Sequence, residues 1–241
     1  MPDIETSSAD YASRFAGQAG RYLLNIQTRT IEHALRGLQP GTVLDVGGAH
    51  GQLVEPLRHA GWQVTVQGSH EQCEANLREL HGQRDCGYVT ADFFDLPFAE
   101  QSFDLVIAVR LLSHVEDWPR LIAEMCRVAR HAVVLDYPGK FSLNALAPVL
   151  FRLKKNLEGN TRTYRTFSQA ELQCAFARHG FASLHAHKQF FLPMVVHRVA
   201  RGAAPLRWTE TLARALGLTA LAGSPAILVA RKLAALGAEQ S

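Results

Sequence analysis

Four groups in this sequence have side chains and spacing suited to chemistry on a bound small molecule. Asp45-Val46-Gly47-Gly48-Ala49-His50-Gly51 sets an acid two residues ahead of a glycine-dense turn. A second acid, Asp92, is followed at once by Phe93, so a carboxylate stands beside a backbone N–H. Arg110 and His114 come directly after the apolar run that ends at Val109. An imidazole with a near-neutral pKa can take a proton from an acceptor hydroxyl, and the plain alternative for His114 is a structural bond to nearby backbone. Gln67 lies 22 residues after Asp45, in the slot where nucleoside-binding α/β folds carry an acid for the ribose hydroxyls. Its amide oxygen can accept one hydroxyl, without the charge of a carboxylate.

These residues need elements to hold them. Thr42-Val43-Leu44 reads as a strand running into the glycine turn, and Leu53 and Leu57 open a helix behind it. Strand, glycine turn and helix together present backbone N–H groups and a helix N-terminus to a ligand. Gly47, Gly48 and Gly51 miss the G-x-G-x-x-G spacing of dinucleotide sites, which ranks NAD-linked chemistry last. Ahead of the turn, Leu24, Ile31, Leu35 and Leu38 recur at helical spacing over 21–38, and Gln39-Pro40-Gly41 stops that helix. Residues 1–20 read as a loose lead-in. Further strands are expected at 63–67, 88–93, 103–109 and 131–138, with helices at 69–80 (Ser69 as N-cap) and 119–130 between them. Five strands alternating with helices predict a doubly wound, mostly parallel sheet.

Composition bounds the function. A chain of 241 residues with 47% hydrophobic content supports one domain with a sizeable core. Lys+Arg 25 against Asp+Glu 22 gives a net charge of +3, too mild to indicate nucleic-acid binding. Cys73, Cys86, Cys126 and Cys174 include no CxxC pair, and His185, His187 and His197 lack metal spacing with matching carboxylates, so no metal site is expected. Residues 1–10 show no signal-peptide pattern, and no apolar run reaches the roughly 18 residues of a membrane span. A cytoplasmic protein is the expectation.

The 45–51 segment resembles the D-x-G-x-G-x-G motif of class I S-adenosylmethionine-dependent methyltransferases, with Ala49 where the middle glycine is usual. Asp92-Phe93-Phe94-Asp95-Leu96-Pro97-Phe98, continuing through Ser102-Phe103-Asp104-Leu105-Val106, resembles the D-x-x-x-L-P-F…S-F-D-x-V segment of that family's small-molecule branch, which includes ubiquinone and menaquinone biosynthesis enzymes. The resemblance implies a Rossmann-like methyltransferase fold of seven strands with S-adenosylmethionine as cofactor. It assigns the turn (Asp45, Gly47, Gly48, Ala49, Gly51) to the methionine and ribose part of the cofactor. Asp92 and the N–H of Phe93 would meet the adenine, and the Val109/Arg110 carbonyl the cofactor's amino group. Thr166-Phe167-Ser168-Gln169-Ala170-Glu171-Leu172 (a capping box from Ser168 to Glu171), a sixth strand over 181–191 and a seventh over 223–232 resemble the family's later elements.

The expectation is thus one methyltransferase domain over 1–241, with a core at about 42–138 and 166–232. Acceptor-side segments fall at about 139–165 and 192–221, the second a partly helical insertion before the last strand. Basic residues in 139–165 read either as a lid favouring an anionic acceptor or as a solvated helix face. The apolar and basic 192–221 insertion reads as an acceptor lid, a dimer contact or a patch resting on a membrane surface. Methyl transfer to a small acceptor, anionic or lipid-like, is the implied reaction, with His114 as first candidate base and Tyr137 and Tyr164 behind it. The other classes weighed are a degenerate member that binds without catalysis, motivated by Ala49 and Gln67, and an RNA methylase, which lacks an N-P-P-Y-type motif.

Overall fold

The computed structural model describes residues 3–4, 8, 12–13, 15–81, 86–140, 142, 165–199 and 204–233. The expected capping box is formed: the Ser168 hydroxyl accepts the Glu171 N–H at 3.3 Å, and the Glu171 carboxylate accepts the Ser168 N–H at 2.8 Å. That pair starts α5 (Gln169–Ala177) after the strand β5 (Ala129–Tyr137). Before them come α1 (Gly17–Ala34), β1 (Thr42–Val46), α2 (Val54–His59), β2 (Gln63–Gly68), α3 (Glu71–His81), β3 (Gly87–Thr90), β4 (Phe103–Ala108) and α4 (Trp118–Val128). After them come β6 (Phe181–Lys188), α6 (Met194–Val199), α7 (Ala204–Ala215), α8 (Leu218–Ala222) and β7 (Ala226–Lys232).

The strands form one sheet in the order β3-β2-β1-β4-β5-β7-β6, with β7 antiparallel to both its neighbours and the remaining pairs parallel. Apolar residues on both faces of β1, β4 and β5 bury those strands between two helical layers, as a parallel sheet requires. On one face Leu44, Val106, Val133 and Leu228 pack with Leu121, Met125, Leu172 and Phe176 of α4 and α5. On the other, Val43, Leu105, Val134 and Val229 meet Ile31, Leu35, Leu57 and Leu77 of the helical layer. Strand order reverses between β1 and β4, and the crevice beyond the carboxyl ends of strands at such a reversal is where open α/β sheets hold ligands.

Several boundaries depart from the sequence reading, among them the sixth and seventh strands, which span Phe181–Lys188 and Ala226–Lys232 rather than 181–191 and 223–232. The first helix starts at Gly17 rather than Arg21 and ends at Ala34. The third strand ends at Thr90, and Asp92 sits in a turn, bridged to Asp95. Ser69 does not cap α3, which begins at Glu71; instead the His70 ring nitrogen accepts the Gln72 N–H at 3.1 Å, because Ser69 is engaged elsewhere.

Candidate cofactor and acceptor site

The glycine turn is built around Asp45. Gly47 and Gly51 both take φ of 66°, in the left-handed region that glycine enters without strain. At Gly48 an added Cβ would stand 2.1 Å from the Asp45 carboxyl group, so any larger residue there would displace that buried side chain. Asp45 is fully buried, and neither of its carboxyl oxygens has a hydrogen-bond partner among the described residues. Burial pushes its pKa up to about 8. A buried carboxyl group with no partner among the described residues is rare and costly, and a bound ligand's polar groups would answer it. Ala49, also fully buried, is enclosed by the same turn.

Gln67 has both ends of its amide engaged within the chain. Its side chain is fully buried and turned inward: the amide oxygen accepts the Gly47 N–H at 3.0 Å, and the amide nitrogen donates to the Ala91 carbonyl at 2.6 Å. Bridging a donor and an acceptor needs an amide, which explains glutamine where the resemblance leads one to expect an acid. The residue braces the turn against the end of β3.

A residue that the sequence reading left in the lead-in stands at the end of β2 instead. Asp3 is fully buried, and its carboxylate accepts the Ser69 N–H at 2.6 Å and the Ser69 hydroxyl at 2.7 Å. Its Cβ lies 3.6 Å from where a Gly47 Cβ would be, so Asp3 rests on the glycine turn. Nothing in a lone Asp near a chain start announces such a contact.

At the end of β3, exposed Asp92 accepts the Phe94 N–H at 2.9 Å, forming an Asx-type turn, while Phe93 is buried. The Leu96-Pro97-Phe98 stretch is wired to α4. Glu124 accepts the Leu96 N–H at 2.7 Å, and Arg127 donates to the carbonyls of Leu96 and Phe98 at 2.9 and 2.8 Å. That segment therefore holds Asp92 in place from behind.

Beyond β4, Val109 is buried and Arg110 adopts φ of 63°, unusual for a residue with a side chain. Three contacts hold it there. Its N–H donates to Asp136 at 2.6 Å, its guanidinium donates to Gln27 at 2.5 Å, and the same group lies 4.0 Å from the centroid of the Phe15 ring. Burial raises the Asp136 carboxyl to about 6, with Arg110 pulling the other way. His114, partly buried, closes a 3-10 turn over Leu112–His114 on the same rim. Tyr137 is nearly fully buried in the core, and burial raises its phenol, which works against a role as base. Tyr164 and most of the 139–165 segment lie outside the described residues.

Asp3, Asp45, Asp92 and Asp136 thus lie along the carboxyl ends of β2, β1, β3 and β5, Asp92 exposed and the other three buried. Such a lining suits a ligand with donor or cationic groups. Among the described residues there is no cluster of potential metal ligands, and no helix is long and apolar enough to cross a membrane.

With this geometry in place, similarity to known proteins is specific. Residues 44–135 match the family described as "Methyltransferase domain". Over 132 residues the chain is 34% identical to cycloartenol-C-24-methyltransferase of Arabidopsis thaliana, covering 51% of this chain and 38% of that protein. It is 28% identical over 177 residues to malonyl-[acyl-carrier protein] O-methyltransferase of Geobacter sulfurreducens, covering 66% and 64%. The chain spans about two fifths of the length of the first two curated relatives it matches. In fold it is similar to magnesium protoporphyrin IX methyltransferase of Synechocystis, solved with S-adenosylhomocysteine bound, at a TM-score of 0.60 and 17% identity over 95% of this chain and 97% of that one. A methyltransferase of Thermotoga maritima gives a TM-score of 0.64 at 15% identity, over 97% and 100%.

Proposed function

We propose, from the premise that this chain carries a class I S-adenosylmethionine-dependent methyltransferase domain, that it transfers the methyl group of that cofactor to a small-molecule acceptor. The observation that carries the reading is Asp45: an enclosed carboxyl group, unpartnered among the described residues, beside a turn where any side chain at Gly48 would displace it. A cofactor bearing an ammonium group, ribose hydroxyls and a sulfonium centre brings the donors and positive charge that this pocket lacks.

When bound, S-adenosylmethionine supplies a methyl group already activated by the positive sulfur. The chain's residues then need to orient and shield. The turn from Gly47 to Gly51, with Asp45 beneath it, holds the amino-acid end. Asp92 and the Phe93 N–H take the adenine, since a carboxylate beside an N–H answers an exocyclic amine beside a ring nitrogen. The Val109/Arg110 carbonyl would accept from the amino group, at a backbone held left-handed at Arg110. Gln67 fixes the distance between the turn and β3. His114 takes a proton where the acceptor is a hydroxyl. Alignment supplies most of the rate, because the leaving group needs no further assistance. The bracing role of Gln67 removes one of the two grounds for reading the chain as degenerate.

Calorimetric titration with S-adenosylhomocysteine tests the reading. Micromolar binding is expected, weakened roughly tenfold, about 1.4 kcal/mol, in Asp92→Ala. An absence of binding at high micromolar concentration would sink it.

A further inference from the structure

The 189–222 stretch holds four arginines (Arg198, Arg201, Arg207, Arg214) and one acid, Glu210. Its balance of +3 equals that of the whole chain, so the charges elsewhere cancel. The single acid is not at the surface. Glu210 is 2% exposed, and its carboxylate accepts the Phe191 and Leu192 N–H groups, each at 2.9 Å, and pairs with buried His197 at 2.9 Å. Burial alone would raise its pKa, but these hydrogen bonds hold it below the ordinary value, so the carboxylate stays ionised. The described charges that this stretch shows to solvent, Arg207 and Arg214, are both cationic.

Arg207 and Arg214, seven residues apart, share one side of α7, and beside them runs an apolar stripe. Trp208, Leu212 and Leu216 succeed one another at intervals of four along α7 and its last turn, so they stand in line on one helix face. They are 75%, 61% and 64% exposed. Past the left-handed turn at Gly217, α8 adds Leu221 at 74% and Leu218 at 37%. The opposite face of α7 is fixed by buried Glu210 and Ala213, so the stripe is presented by an anchored helix. Glu210 ties that helix to Phe191 and Leu192, just past the carboxyl end of β6, which puts it on the same rim as the crevice.

We propose that the α7–α8 face is a docking surface for an anionic lipid bilayer. A tryptophan at the edge of a leucine stripe, bordered on one side by arginines and with no exposed acid among the described residues of the stretch, is the pattern of a helix lying in the membrane interface. Apolar side chains enter the headgroup boundary while the guanidinium groups meet lipid phosphates. A second copy of this chain fits less well. A two-fold contact sets the same surface against itself and offers those arginines no exposed acid among the described residues of this stretch to pair with. The inference does not depend on methyl transfer.

Co-sedimentation of the full chain with vesicles tests it, using phosphatidylcholine containing about one-third phosphatidylglycerol and, separately, phosphatidylcholine alone. Binding to the anionic vesicles is expected, with several-fold weaker binding to the neutral ones and a marked loss in high salt. Trp62 is buried and Trp118 packs against the core, so a blue shift of tryptophan emission on binding reports on Trp208. The double variant Trp208→Ser, Leu212→Ser should lose tenfold or more of the vesicle affinity, roughly what two buried large apolar side chains supply. Both residues are exposed, so its melting temperature should match the parent chain. Failure of the parent chain to bind either vesicle overturns the proposal. So does light scattering that finds a dimer which the double variant converts to monomer without any vesicle binding.

Discussion

Replacing Asp45 by Asn should flatten the dependence of stability on pH. The carboxyl group is fully buried, has no hydrogen-bond partner among the described residues, and is pushed up to about 8 by burial. In the unfolded chain it titrates near 4, the ordinary aspartate value. Between those two points the folded state holds a proton that the unfolded state has released. Stability therefore falls as pH rises, by about 1.4 kcal/mol per pH unit for this one group, and levels off above the folded pKa. From pH 5 to pH 7 the parent chain should lose at most about 2.7 kcal/mol that Asp45→Asn does not lose. For a chain of this size that corresponds to roughly 5–10 °C in melting temperature. Asp136, raised to about 6, contributes to both proteins and drops out of the difference. The Asn amide adds a cost of its own, the same at each pH. Thermal unfolding by circular dichroism at half-unit pH intervals is the assay. Parallel curves for the two proteins would refute the claim that Asp45 is desolvated and unpartnered.

Two further outcomes follow from the same structure. Gln67→Glu, which installs the acid that the resemblance leads one to expect, sets a carboxylate against the Ala91 carbonyl where an N–H now donates at 2.6 Å. It should cost about 1–3 kcal/mol at pH 7, part of it regained on acidification, as read by urea unfolding at two pH values. Asp104 accepts the Thr42 N–H at 2.8 Å, the Thr42 hydroxyl at 2.9 Å and Arg130 at 2.5 Å, and the Thr42 N–H leads in holding its carboxyl below the ordinary value. A depressed carboxylate stabilises above its unfolded pKa and loses that contribution as pH falls through the folded value. Asp104→Ala should therefore lose about 1–2 kcal/mol at neutral pH, with the gap to the parent chain closing in strong acid.

The sheet was legible because its central strands are short apolar runs with breakers between them. Phe103-Asp104-Leu105-Val106-Ile107 can be little other than a buried strand, and Ser168 with Glu171 marks the start of a helix by chemistry alone. The glycine turn could be read for the same reason: a side chain at Gly48 would displace the buried Asp45 carboxyl group. What escaped was long-range pairing. That Gln67 faces Gly47 and Ala91 depends on the register between β2 and its neighbours, which no local pattern encodes. Asp3 meets Ser69 across 66 positions, and Arg110 is held in its left-handed backbone by Gln27, Phe15 and Asp136 from three separate stretches. The end of β3 was overextended because Ala91-Asp92-Phe93 alternates like a strand, while the Asp92 side chain bonds forward to Phe94 and turns the chain.

The clasp between Asp3 and Ser69 has a practical side for anyone making this protein. A purification handle fused ahead of Asp3 is tethered to the wall of the crevice and would tug on the carboxylate that rests over Gly47. The far end of β7 is the safer place. Lys232 lies opposite Phe181, at the edge of the sheet away from the glycine turn, and a handle joined beyond it leaves that wall untouched.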